Sequence, residues 1–113
     1  FDIDEKLGTD YFKKFCKYLE YIQEEDLMLA GAMTDPKGDR GLSPGQQEDP
    51  DMYVHVVDKN DEGIVIRGSK MHMTGMVNSF EMLIMPTTAL NPEDSAYAVC
   101  CALPVDAEGV IHI

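Results

Sequence analysis

Eight consecutive residues bring several chemically capable side chains of this sequence into one stretch. They combine a hydroxyl, two carboxylates and two cations with a proline and a glycine: Met33, Thr34, Asp35, Pro36, Lys37, Gly38, Asp39 and Arg40. Pro36 fixes its own φ and disfavours a helical residue before it, while Gly38 permits a positive φ or a close ligand approach. The pattern predicts a sharply turned loop suited to a phosphate-bearing or polar planar ligand. The same residues also describe an ordinary solvated turn, which this stretch alone favours.

A second group of candidate residues lies at 70–75, which we interpret as a strand over 70–74 followed by a glycine. His72 and Thr74 share one face of that strand, and Gly75 allows a bend or a close backbone approach. The two side chains could therefore present a hydrogen-bonding pair to a flat ligand. A polar outer face of a half-exposed strand explains the same spacing and is the simpler interpretation.

Standard catalytic and metal-binding motifs do not occur in the sequence. It contains no Ser–His–Asp constellation, P-loop, GxGxxG or HExxH. The three cysteines, Cys16, Cys100 and Cys101, show neither CxxC nor CxH spacing, which disfavours a structural zinc site. Adjacent cysteines rarely form a disulfide with each other. We therefore expect reduced, largely buried thiols in a cytoplasmic protein, and no metal ligands.

Composition and charge exclude several classes of function. The hydrophobic content of 44% is typical of a globular domain. A net charge of −12 disfavours binding to nucleic acid or to an anionic membrane. No apolar run approaches the roughly 20 residues of a membrane helix.

The sequence starts at Phe1 and ends in a strand-like segment, so we expect a piece cut from a longer protein.

One amphipathic helix is predicted over residues 9–24. Its apolar stripe consists of Phe12, Phe15, Leu19 and Ile22, at the spacing of a single helix face. Thr9 is the expected N-cap. We expect this face to pack on the sheet or on a part of the protein outside this sequence.

The rest of the sequence has the pattern of short strands separated by turns. The best hairpin joins residues 53–57 to 64–67 through a turn that ends in Gly63. A polar loop at 41–50 is interpreted as a flap or as a disordered connection. Further strands are predicted at 27–34, 70–74, 80–85, 95–103 and 110–113. About six short strands predict an antiparallel barrel or sandwich.

Two widely separated segments resemble a known flavoprotein family. Residues 32–36, followed further along by 68–75, are similar to the middle β domain of the acyl-CoA dehydrogenase-fold flavoproteins. Within that group the chain resembles the 4-hydroxybutyryl-CoA dehydratases, also called vinylacetyl-CoA isomerases, over nearly its whole length. The wider match consists of residues 21–23, 31–41, 63–68, 74–75, 78–79 and 85–87.

This resemblance implies a fold and an activity. The expected fold is mainly β: an antiparallel β-barrel of about six to eight strands, preceded by one amphipathic helix. Residues 1–26 would end a preceding helical domain, and 27–113 would be a flavin-contacting middle β-barrel domain, truncated at its C-terminal end. The parent enzyme would bind FAD and a [4Fe-4S] cluster, dehydrate 4-hydroxybutyryl-CoA to crotonyl-CoA and isomerise vinylacetyl-CoA. It would be a cytoplasmic homotetramer of fermenting anaerobes, with an acyl-CoA substrate and neither nucleic-acid nor membrane partners.

The resemblance also assigns roles to individual residues. The loop 33–40 would contact the flavin, with Lys37 and Arg40 offsetting phosphate charge. A second flavin segment would consist of His72, Met73, Thr74 and Gly75. Thr74 would be catalytic, because its hydroxyl would meet the redox-active edge of the ring.

The sequence departs from this family at several positions. Family members commonly carry Gln in place of Met73 and His in place of Phe80, which puts one flavin or substrate contact in doubt. The cluster ligands belong to family segments outside residues 1–113, and the three cysteines here do not match them. The piece alone is therefore expected to hold no cluster and to be inactive.

Two alternatives to the dehydratase interpretation remain open. One is the oxygenase component of a 4-hydroxyphenylacetate 3-monooxygenase-type enzyme, with a similar Thr-Asp-Pro loop; Asn78-Ser79 and residues 37–40 favour the dehydratase. The other is a non-catalytic β-barrel binding module.

Overall fold

Residues 2–113, which the computed structural model describes, form two α-helices and two small β-sheets. The helices are α1 (Asp2–Leu7) and α2 (Tyr11–Glu24). The strands are β1 (Leu29–Ala32), β2 (His55–Asn60), β3 (Gly63–Arg67), β4 (Glu81–Ile84) and β5 (Cys101–Pro104). Three 3-10 segments lie at Pro44–Gln46, Met76–Asn78 and Pro92–Tyr97.

The larger sheet has the order β1-β4-β5, with β4 in the centre. Strands β1 and β4 run parallel, and β5 is antiparallel to β4. Side chains alternate along a strand, so one face of this sheet can be apolar throughout. The core consists of seven buried side chains from this sheet and from the chain between the strands: Ala30, Ala32, Val54, Met76, Met82, Ile84 and Val99.

The second sheet is the hairpin β2–β3, which confirms the hairpin prediction. Its register shifts by one residue between Val56 and Asp58, which is the sign of a β-bulge. In the turn, Asn60 Oδ1 accepts hydrogen bonds from the amides of Glu62 (2.9 Å) and Gly63 (3.0 Å). A side chain that bonds amides two and three residues ahead is a standard turn device. Because the turn is stabilised by residues within it, the local sequence was sufficient to predict this hairpin.

The predicted antiparallel barrel of six to eight strands is wrong. Within residues 2–113 the strands form separate sheets of three and two strands, and no barrel closes. The domain is a small mixed α/β structure. The difference comes from three predicted strands, 70–74, 95–103 and 110–113. Most of their residues lie in turns, 3-10 helix or irregular chain.

Backbone geometry explains the loss of these strands. No strand forms over 70–74, where His72 has φ of 56° and Gly75 has φ of 77°. Extended chain needs negative φ, so these residues stop it. The predicted strand 95–103 is divided between the 3-10 segment Pro92–Tyr97 and the shorter strand β5. Residues 110–113 form no strand.

The predicted helix is confirmed as α2, although its N-terminus is capped differently. Asp10 occupies the cap position without a side-chain hydrogen bond. Asp4, in the unpredicted helix α1, accepts hydrogen bonds from the amides of Tyr11 (3.0 Å) and Phe12 (2.7 Å). The Thr9 hydroxyl also donates to Asp4, and this bond, followed by the one from Phe12, lowers the pKa of Asp4. Helix α1 therefore supplies the acceptor for the free amides of α2.

Helix α2 is attached to the sheet by its central residues. The Tyr18 hydroxyl donates to Glu81 Oε2 in β4 over 2.6 Å. No residue of α2 is fully buried, and Phe12 and Phe15 are 42% and 55% exposed. The apolar stripe is thus only partly covered by residues 2–113. None of the helices in this described part is long and apolar enough to cross a membrane.

Candidate functional site

The loop 33–40 starts where β1 ends and lies at the carboxyl end of the parallel pair β1–β4. The last paired residues are Ala32 and Ile84. Beyond them both chains continue as irregular segments, 33–39 and 85–87. In open α/β sheets, ligands bind outside the carboxyl ends of parallel strands. The loop therefore lies where ligand-binding sites are commonly found in sheets with parallel strands.

The start of the second candidate segment lies beside this loop. The Met71 amide donates to the Thr34 carbonyl over 2.8 Å. Lys70 Nζ donates to Asp35 Oδ1 (2.5 Å) and to the Met33 carbonyl (3.2 Å). Two segments that are far apart in sequence thus meet at residues 33–35 and 70–71.

The ion pair between Asp35 and Lys70 is buried. The Lys70 side chain is 5% exposed and that of Asp35 is 10% exposed. The second Asp35 oxygen, Oδ2, accepts a hydrogen bond from the Thr87 hydroxyl over 2.8 Å. Buried charges are tolerated only when they are paired and hydrogen-bonded. The sequence did not predict this pair, because no local pattern relates residues so far apart.

The far end of the loop is held by Gln47, which sequence reasoning missed. Its side chain is buried, at 7% residue exposure. Oε1 accepts from the Asp39 amide and Nε2 donates to the Asp39 carbonyl, each over 2.9 Å. Gly38 has φ of 44°, and a Cβ there would lie 2.5 Å from Gln47 Oε1. The predicted conformational freedom of Gly38 is therefore used, and a side chain at this position would have to displace Gln47.

The polar loop 41–50 is fixed to the body of the domain. It contains the 3-10 segment Pro44–Gln46, with a capping box between Ser43 and Gln46. The Ser43 hydroxyl and the Gly45 amide both donate to Asp94 Oδ1 over 3.0 Å. Asp94 is 3% exposed, and its Oδ2 has no hydrogen-bond partner among the described residues. These anchors, with the Gln47 contacts, give the loop a defined course.

A groove of about 420 Å³ runs along the loop. Its polar lining combines two cations, Lys37 and Arg40, with four hydroxyl groups and two carboxylates: Thr34, Tyr53, Thr87, Thr88, Asp35 and Asp39. Lys70 offsets the charge of Asp35, and Asp39 Oδ1 accepts a hydrogen bond from the Gly41 amide over 2.8 Å. Neither Lys37 nor Arg40 forms an ion pair with a carboxylate of residues 2–113. Cations and hydroxyls are the donors that phosphate oxygens use. In a protein with a net charge of −12, two unpaired cations in one groove suit an anionic ligand.

The remaining predicted site residues lie beyond this groove. His72 and Thr74 are exposed, while Met73 is half-buried and packs against the core. Gly75 precedes the 3-10 segment Met76–Asn78, and its carbonyl accepts the Ser79 hydroxyl over 2.9 Å. The groove lining does not include residues 72–75. The structure thus joins 33–35 to 70–71, but it places Thr74 outside the space bounded by Lys37 and Arg40.

The cysteines have no site of their own in the described residues. All three are free thiols; Cys100 is exposed, against expectation, and the other two are half-buried. Burial raises the pKa of the Cys101 thiol, which lowers its reactivity at neutral pH. Within residues 2–113, no group of three His, Cys, Asp or Glu side chains could hold a metal ion.

Comparison with known proteins gives relatives over the whole chain. A 4-hydroxybutyryl-CoA dehydratase/vinylacetyl-CoA Δ-isomerase of Clostridium aminobutyricum is 55% identical over 113 residues, covering 100% of this chain and 23% of the relative. An oxygen-tolerant archaeal 4-hydroxybutyryl-CoA dehydratase from N. maritimus superposes with a TM-score of 0.91 at 45% identity, covering 96% of this chain and 22% of that one.

A solved oxygenase component (HpaB) of 4-hydroxyphenylacetate 3-monooxygenase, complexed with FAD, is more distant. It superposes with a TM-score of 0.70 at 36% identity, covering 78% of this chain and 18% of that one. The chain therefore spans less than a quarter of the length of these relatives. The predicted resemblance to the dehydratases is confirmed. Residues 2–113 match the family described as 4-hydroxyphenylacetate 3-hydroxylase N terminal, and the chain belongs to that family.

Proposed function

We propose that this chain is part of a flavin enzyme that dehydrates 4-hydroxybutyryl-CoA to crotonyl-CoA and isomerises vinylacetyl-CoA. One observation carries the proposal: the identity of 55% to a dehydratase/isomerase extends over all 113 residues. The identity to the FAD-complexed monooxygenase component is 36% over 78% of the chain. One fold can host different activities, so the shared fold does not choose between the two reactions. The higher identity over the whole chain favours the dehydratase reaction.

The groove beside loop 33–40 fits the phosphates of FAD. Lys37 and Arg40 would bind phosphate oxygens, because both are free of carboxylate partners in residues 2–113. The Thr34 hydroxyl and the amides of the loop would hydrogen-bond the polar edge or the phosphates. When bound, the flavin supplies the electron-transfer chemistry, and the protein binds and orients it.

The second segment would complete the cofactor site from the other side. Its proposed members are His72, Met73, Thr74 and Gly75. The exposed Thr74 hydroxyl has no hydrogen-bond partner in the described residues, so it is available to a ligand. Thr74 would donate to, or accept from, the reacting edge of the flavin or the substrate. In this proposal residues 1–26 end a helical domain, and 27–113 are the flavin-contacting domain.

The described residues do not fit a [4Fe-4S] cluster. Such a cluster needs several thiolate or imidazole ligands together, and residues 2–113 contain no group of three candidate ligands. We assign no ligand and no catalytic step to a cluster on this chain. An acyl-CoA substrate, contacts with further helical domains, a homotetrameric enzyme and a cytoplasmic location complete the proposal.

A test of the proposal uses the full-length polypeptide that contains this chain. It should purify with flavin absorbance and form crotonyl-CoA from 4-hydroxybutyryl-CoA. Thr74→Val should lower kcat by about 10- to 100-fold, because a hydrogen bond to a charged group is worth about 1.5–3 kcal/mol. Thr74→Ser keeps the hydroxyl and is the matched control, with kcat close to wild type. A colourless protein would contradict the proposal of a flavin enzyme. Equal kcat values in Thr74→Val and Thr74→Ser would contradict the role of the Thr74 hydroxyl.

The oxygenase activity of the flavin monooxygenase relatives is the second candidate. It is supported by the family match over residues 2–113 and by the FAD-complexed monooxygenase component among the solved relatives. The same full-length protein should then hydroxylate 4-hydroxyphenylacetate when supplied with reduced flavin and oxygen. Hydroxylation without dehydration of the CoA thioester would decide for this candidate.

A further inference from the structure

The parallel strands β1 and β4 separate at one point, and Lys70 fills the gap between them. The last cross-strand bond runs from the Met85 amide to the Ala32 carbonyl over 3.4 Å. The next carbonyls along the two chains, of Met33 and Met85, both accept from Lys70 Nζ, over 3.2 and 2.7 Å. A single ammonium group therefore bridges the ends of both strands.

The hydrogen bonds of this ammonium group are fully used. An ammonium has three N–H donors, and Lys70 has three acceptors, the two carbonyls and Asp35 Oδ1. Both oxygens of Asp35 are also engaged, Oδ1 by Lys70 and Oδ2 by Thr87. The side chains are 5% and 10% exposed. Lys70 consequently has no N–H donor left for a ligand, and Asp35 is held by one donor on each oxygen.

This arrangement has two effects on the groove. It fixes the loop at Asp35, while Gln47 fixes it at Asp39, so Lys37 lies between two anchors and Arg40 directly follows the second. It also cancels the negative charge of Asp35, which lines the same groove. Without the ammonium group, that carboxylate would repel a phosphate bound by the two cations.

We propose that Lys70 is the positioning residue of the phosphate-binding part of this groove. It holds the separated strand ends and neutralises Asp35, so that Lys37 and Arg40 meet the phosphates of the cofactor. The inference rests on the proposed function, since it assumes that the groove takes the phosphate end of FAD. Lys70 itself touches no ligand in this proposal.

The test compares FAD with riboflavin, which has the same ring system and no phosphate. Binding of each to the flavin-free, full-length protein is measured by titration of flavin fluorescence. Lys70→Met should weaken FAD binding by about tenfold, because the two cations lose their fixed position and the unpaired charge of Asp35 repels the phosphates. Riboflavin binding should change by less than about twofold, because the ring does not contact the two cations.

Two further variants keep the test decisive. Lys14→Met is the matched control: Lys14 also pairs with an aspartate, Asp10 at 2.8 Å, but both side chains are more than 60% exposed, so neither affinity should change. Asp35→Asn with Lys70→Met leaves no buried charge and should fold even if Lys70→Met does not. The double variant has no charge at position 35, but it still lacks the contacts of Lys70 with the Met33 and Met85 carbonyls. Its FAD affinity should therefore lie between that of Lys70→Met and that of the wild type.

The outcomes separate this inference from the proposed function. Equal losses of FAD and riboflavin binding in Lys70→Met would mean a general structural role and overturn the inference. Wild-type FAD affinity in the double variant would also overturn it. If the wild-type protein binds neither flavin, the proposed function itself fails before any variant is compared.

Discussion

The course of the candidate loop is decided by single residues that meet its backbone. Gly38 has a positive φ and lies directly against Gln47, and the buried Gln47 amide pairs with both backbone groups of Asp39. The sequence predicted the freedom of Gly38, because glycine is the residue that takes positive φ without strain. It did not predict Gln47, because a glutamine in a polar loop is most often solvated.

A substitution at Gly38 tests this account. Gly38→Ala should lower the free energy of unfolding by about 1–3 kcal/mol, because a Cβ at positive φ is strained. That Cβ would also lie 2.5 Å from Gln47 Oε1 and 2.8 Å from Met52 Sδ. Urea unfolding followed by circular dichroism measures the change.

Gly31→Ala is the control for this experiment. Gly31 lies in β1, and a Cβ there would meet no atom within 4 Å. Its free energy of unfolding should stay within about 0.5 kcal/mol of wild type. A loss at Gly38 no larger than that at Gly31 would show that the contact with Gln47 does not constrain the loop.

At the scale of elements, α2 depends on its neighbours more than on its own sequence. Its amides are capped by Asp4 from α1, and its central part is attached through Tyr18 to Glu81 of β4. Periodicity predicted the helix itself, because the stripe is a local property. The partners were not predictable, since 63 residues separate Tyr18 from Glu81.

Removing the Tyr18 hydroxyl should loosen this attachment. Tyr18→Phe should lower the free energy of unfolding at neutral pH by about 0.5–1.5 kcal/mol, the net worth of one hydrogen bond. Tyr11→Phe, on the same helix with Tyr11 62% exposed, should change it by less than about 0.5 kcal/mol. Similar losses in both variants would argue against a specific role for the bond to Glu81.

The pH dependence of the same variant has a defined sign. Burial, followed by the hydrogen bond to Glu81, raises the pKa of Tyr18 above its ordinary 10.0. Above about pH 10 the folded state then keeps a proton that the unfolded state loses, so stability falls as pH rises. Burial also raises the pKa of Tyr97, so the useful quantity is the difference between wild type and Tyr18→Phe. That difference should shrink above pH 10.

The strand predictions show which elements local pattern can specify. The hairpin β2–β3 was predicted because its turn residues and its β-rich runs are adjacent in sequence. The segment 70–74 has the alternation of a strand, but Lys70 is drawn into the gap between β1 and β4 and His72 turns the chain with φ of 56°. Tertiary contacts have overridden a weak local preference, as they commonly do for strands.

At the scale of the whole molecule, several apolar side chains are not covered by residues 2–113. Phe15, Val77 and Phe80 are 55%, 89% and 59% exposed. Exposed apolar surface of this kind marks places where another part of a protein or a ligand packs. The chain also spans less than a quarter of its relatives' length. We infer that residues outside this sequence would complete the cofactor site.

The 113-residue chain on its own should therefore bind FAD poorly. Its affinity should be at least about tenfold weaker than that of the full-length protein, because the ligand would lose the contacts made by the other domains. Fluorescence titration of both proteins with FAD under the same conditions gives the comparison. Tight, stoichiometric binding by the short chain would show that the two segments described here are sufficient.

The sequence by itself determined the family, the hairpin, helix α2 and the composition of the loop 33–40. Each of these depends on residues that are close in sequence or on a motif that can be recognised. The tertiary structure decided that the strands form two small sheets instead of a barrel. It also decided that Lys70, Asp35 and Thr87 share one buried network, and that Gln47 closes the loop. Burial and pairing of side chains 35 and 52 residues apart depend on how the chain packs. No local periodicity carries that information.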